Sequence, residues 1–107
     1  MPNVYDLKDF KGGWFIGNFI PTLDPTTQFE VCIKRYKAGD HDQKHIHKLA
    51  VEYTIIVEGV VEMNGVKYHA DDLIEIEKGE ATDFLAITDA ITCVVKIPCV
   101  KGDKYLV

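Results

Sequence analysis

The chain of 107 residues lacks the marks of several large functional classes. No apolar run approaches the ~20 residues a helix needs to cross a bilayer, and "MPNVYDLKDF" carries acids without an apolar centre. Neither a membrane span nor a leader is therefore expected, and a cytoplasmic location follows. No cluster of Lys or Arg breaks a formal net charge of −5, which makes nucleic acid an unfavourable partner. The three cysteines, Cys32, Cys93 and Cys99, lack CxxC spacing and read as reduced core residues rather than disulfide or zinc-finger ligands. No stretch sustains a helical stripe, and repeats, low-complexity segments and linkers are missing as well.

What remains is period-two alternation in an ordinary globular composition, 47% hydrophobic and 27% charged. "FEVCIKRY" places Phe29, Val31 and Ile33 on one face and Glu30, Cys32, Lys34 and Tyr36 on the other, the pattern of a half-buried strand. "EYTIIVEG" predicts another strand, and "VVEMNGVKYHA" a hairpin turned by Asn64-Gly65. "DLIEIEKG", "ATDFLAI" and "AITCVVKIP" add three more, the last two joined at Thr88-Asp89. Short strands so spaced predict an all-β antiparallel sandwich or barrel. Before Phe29 the pattern loosens, so residues 1–28 are expected to cover part of the sheet, residues 29–97 to form the barrel and residues 98–107 to be a tail. The central strand is apolar on both faces, with Tyr53, Ile55 and Val57 opposite Thr54 and Ile56. Either the N-terminal segment or a second subunit should cover its outer side, and a homodimer is expected.

Chemistry concentrates in "KHIHKLAVE". His45 and His47 share a face of an extended strand, the placement a metal needs for two nitrogen ligands. Glu52 has the wrong parity for a straight strand, so a turn through "KLAV" must bring its carboxylate round. Two imidazoles and one carboxylate with open positions suit a divalent transition metal, Fe, Mn, Ni, Co or Zn. The same residues also read as the solvated face of an edge strand.

The flanking glycines extend the pattern: Gly39, five residues, His45, one residue, His47, four residues, Glu52, six residues, Gly59. This spacing resembles the first motif of the cupin superfamily at all five of its positions. The resemblance implies a small single-domain cupin, a jelly-roll-like double-stranded β-helix barrel with a metal near its mouth. A second cupin motif, glycine, five residues, proline, one residue, glycine, two residues, histidine, falls on Asp71, Glu77, Gly79 and Thr82, where only Gly79 matches. Thr82 is a poor donor in place of an imidazole. Asp83, if a bulge re-aimed it, His41 or His69 would be the alternative fourth ligand.

With Thr82 inward, parity turns Phe84 and Ala86 inward too. Phe84, Tyr36 and Trp14 could then wall a pocket for a small-molecule ligand, or simply be core. Three functions stay open: a metal-dependent enzyme on a small metabolite, a binding module without turnover, and a structural dimeric barrel with a vestigial site.

Overall fold

A computed structural model describes residues 1–107. Ten strands run in chain order: β1 (Trp14–Ile16), β2 (Glu30–Tyr36), β3 (His41–Ile46), β4 (Val51–Glu58), β5 (Val60–Met63), β6 (Val66–His69), β7 (Leu73–Ile76), β8 (Thr82–Ala86), β9 (Ala90–Ile97) and β10 (Tyr105–Leu106). Two 3₁₀ turns, Leu7–Asp9 and Lys11–Gly13, precede them, and no helix is long and apolar enough to cross a membrane. The strands form two five-stranded sheets, in the orders β1-β2-β9-β4-β7 and β10-β3-β8-β5-β6. All pairings are antiparallel. Residues outside 29–97 join both sheets, β1 at one edge and β10 at another.

Turn chemistry explains where strands stop. Asn64 and Gly65 both hold positive φ, 51° and 79°, as a two-residue primed turn between β5 and β6 requires. Gly59, at φ 91°, bends the chain from β4 into β5, and a Cβ there would collide with the Asp89 carbonyl.

Side chains at even positions of β2, β4 and β9 face the other sheet. Cross-strand register lays them in rows: Glu30, Lys96 and Glu52 at one end, then Cys32, Val94 and Thr54, then Lys34, Thr92 and Ile56. The dry end is closed by Ile56, Val61, Met63, Ile76, Phe84, Ala86 and Ala90, with Tyr36, Tyr68 and Ile74 against them. The interior therefore grades from an apolar plug to a polar mouth. The opposite face is apolar too, in the row Ile33, Cys93, Ile55 and Leu73. The N-terminal segment packs along β2, burying Phe10 and lying against Ile33 at one end of that row.

Candidate functional site

The polar mouth opens on a cavity of about 80 Å³ between the sheets. That is roughly the space of two to three waters, enough for the polar head of a small molecule. His45, His47, Glu52, Thr82, Phe84, Tyr36 and Trp14 all line it. The two sheets bring them there from opposite sides, β3 and β8 facing β2, β4 and β9.

A bulge in β3 sets the first imidazole. Asp42 stands opposite Phe84 but His45 opposite Thr82, so β3 spends one more residue than β8 between these pairs. The extra residue restores inward parity, and Asp42 and His45 both reach the cavity. His45 Nδ1 donates to the Gln43 carbonyl at 2.8 Å, leaving Nε2 with a free lone pair. His47 follows just past the strand, 5% exposed, its ring centroid 5.0 Å from that of His45 and nearly perpendicular to it.

The turn after His47 carries the chain from one sheet to the other and delivers Glu52 as the inward residue near the start of β4. Two residues hold it. The Gly79 N–H donates to the His47 carbonyl at 2.7 Å. The Asp103 carboxylate accepts the N–H groups of Lys48, Leu49 and Ala50 through four contacts of 2.9 to 3.2 Å. Burial pushes the Asp103 carboxyl up, but the three N–H groups outweigh it and hold the group below the ordinary value. Asp103 lies in "KGDKY", which reads only as a charged glycine turn, so its role had no signal in the sequence.

Lys96 is the other residue that sequence reasoning passed over. Its position was legible in retrospect: it falls in phase with Thr92 and Val94, on the buried face of β9. Lys96 Nζ donates to His47 Nε2 at 3.1 Å and lies 4.0 Å from Glu30 Oε1. Burial, followed by the Lys96 charge, lowers the pKa of His47 from 6.5 to about 4, so the ring is neutral and accepts from the ammonium. Lys34 enters from β2, and both ammonium groups sit against the Trp14 ring, at 5.5 and 5.2 Å from its centroid.

The expected metal ligands, His45, His47 and Glu52, share the cavity, but no three imidazole, thiol or carboxylate groups converge on one point. The physical reason is local. Lys96 takes the lone pair of His47 Nε2, and Glu52 Oε2 turns to accept the Thr54 hydroxyl at 2.9 Å. The alternative fourth donors lie elsewhere. His41 is exposed at the start of β3, and His69 sits on β6 with Asp72 3.7 Å away. Asp83 reaches the cavity rim, where its Oδ1 accepts the Asn64 N–H at 2.7 Å. Thr82 is buried beside Phe84, and Phe84 stacks on Tyr36 with centroids 4.5 Å apart. Thr92, 1% exposed, lies at the cavity wall.

No family model matches the sequence, and no curated protein matches it. Solved structures do. An uncharacterized conserved protein with a double-stranded β-helix domain from Klebsiella pneumoniae superposes with a TM-score of 0.68 at 19% identity, over 76% of this chain and 71% of that one. An RmlC-like cupin from Shewanella frigidimarina gives 0.64 at 18% identity, over 72% and 71%. The polyketide cyclase RemF from Streptomyces resistomycificus gives 0.65 at 16% identity, over 75% and 61%. Two antiparallel five-stranded sheets, together with these superpositions, establish that the chain has the double-stranded β-helix fold of the cupins.

Proposed function

We propose that the barrel mouth is a binding site for a small organic molecule, with its polar head at His45, His47, Glu52 and Lys96 and its body against Trp14, Tyr36 and Phe84. The observation that carries this reading is the convergence of His45, His47, Glu52 and Lys96 with Trp14, Tyr36 and Phe84 on one cavity between the sheets. Among the similar folds, RemF is named as a polyketide cyclase. Screening a library of small polar molecules by amide and indole NMR tests the reading. Shifts gathered on Trp14, Thr82, Phe84 and Thr92 are the expected result. A library that leaves these signals unmoved refutes it.

A second reading is metal binding by His45, His47 and Glu52, as in a metal-dependent cupin enzyme. One observation favours it: the Gln43 carbonyl orients His45 as an outer-shell acceptor orients a metal ligand. His45, His47 and Glu52 would hold such an ion, and the chemistry supplied would be Lewis acidity. This reading requires Lys96 to leave His47. Elemental analysis after growth with Fe, Mn, Ni, Co and Zn decides: about one equivalent in the native protein, lost in His47→Ala, supports this reading, and less than a tenth of an equivalent refutes it.

A further inference from the structure

We propose that Lys96 is the cation of this site, standing where the histidine motif would place a metal, and that with Lys34 it selects a small carboxylate as ligand. The inference rests on the small-molecule reading above and specifies its chemistry.

The hydrogen-bond inventory of Lys96 carries the argument. An ammonium has three N–H donors. One goes to His47 Nε2 at 3.1 Å. The Glu30 carboxylate, at 4.0 Å, is an ion-pair neighbour beyond hydrogen-bond reach. Two donors of a lysine whose side chain is only 17% exposed are therefore unspent in the protein. Lys34 lines the same cavity and has no carboxylate within 4.0 Å. Both ammonium groups face one indole, so the two lie at most about 11 Å apart, an upper bound close to the reach of a small dicarboxylate.

Carboxylates on the wall, Asp42, Glu52 and Asp83, would oppose an anion, but two of them are engaged. Glu52 accepts the Thr54 hydroxyl and Asp83 the Asn64 N–H. Asp42 stands at the Phe84 end, opposite that residue in the β3–β8 register. Lys104 also lines the cavity, so three lysines face the three carboxylates there and the wall is formally neutral in a chain whose net charge is −5. The wall is thus less hostile to an anion than the chain as a whole, and its unspent donors belong to Lys96. A divalent ion at His47 Nε2 would meet Lys96 at hydrogen-bond distance, a repulsion that an anion turns into attraction.

Trp14 is the chain's single tryptophan and touches both lysines, so its fluorescence reports the site directly. The test titrates acetate and malonate, beside the neutral acetamide and malonamide, into protein stripped with a neutral chelator and dialysed. Native protein is expected to show saturable change with the acids and at least tenfold weaker change with the amides. Lys96→Met should lose tenfold or more in malonate affinity, and Lys96→Arg should retain it within a fewfold, which separates the charge from a folding defect. Amides that bind as tightly as acids, indifferent to Lys96→Met, overturn the carboxylate inference and leave the small-molecule pocket standing. Silence from all four probes overturns the inference, while the NMR screen separately decides the pocket. Native protein that holds a stoichiometric metal through His47 also overturns it.

Discussion

Replacing Asp103 tests whether the C-terminal segment fixes the geometry of the mouth. Its carboxylate, in a residue 5% exposed, accepts three consecutive N–H groups on the turn that joins His47 to Glu52. Hydrogen bonds to a charged group contribute roughly 1.5–3 kcal/mol each, and water reaching a loosened turn would recover part of that. Asp103→Ala is therefore expected to cost ~3–5 kcal/mol, a large share of the ~5–15 kcal/mol that holds a domain together. Asp103→Asn keeps one acceptor oxygen but sets an amide against an N–H, and should cost about 2 kcal/mol. Urea unfolding followed by circular dichroism measures the loss, and hydrogen exchange at Lys48, Leu49 and Ala50 locates it. A cost below about 1 kcal/mol for the alanine variant, or unchanged protection of those three amides, would refute the claim that Asp103 clamps the turn.

Acid should weaken the fold through His47. Its pKa is about 4 in the folded chain against an ordinary 6.5, so its contribution is fully present above pH 6.5 and is lost as pH falls toward 4. The loss is on the order of 3 kcal/mol, and His47→Gln should flatten that part of the stability curve. Glu30, raised by burial against the pull of Lys96, acts in the opposite sense, so a curve no flatter in His47→Gln than in the native chain would refute the assignment. The outer row Ile33, Cys93, Ile55 and Leu73, with Leu73 66% and Val57 50% exposed, is expected to pair two copies of the chain. Light scattering should read a dimer for native protein and a monomer for Ile55→Lys, and a native monomer at micromolar concentration would refute it.

How legible was this in the sequence? Strand alternation located β2, β4, β8 and β9 to within a residue or two, because one face of each must meet the core. The Asn64-Gly65 turn was legible because few residues tolerate its backbone. Alternation does not say which face is inside: on β2 the set with Glu30, Lys34 and Tyr36 turns inward, because the cavity accepts polar side chains at its mouth. The short edges β1 and β10 escaped notice, since two or three residues carry no period. The histidine pair was visible as a motif, but its present partner was not. Spacing along one strand cannot show that register places Lys96 between Glu30 and Glu52, because that depends on pairing across two other strands.

The Asp103 clamp also sets an order of events. Asp103 reaches back 53 to 55 residues to the turn it holds. On a ribosome adding ~5–20 residues per second, that turn waits about 3–10 s for its clamp after its own synthesis. Strands β1 to β9 are already made by then, while the turn that joins His47 to Glu52 is still unclamped. The mouth of the barrel thus takes its final shape only after the strands that enclose it have been synthesised.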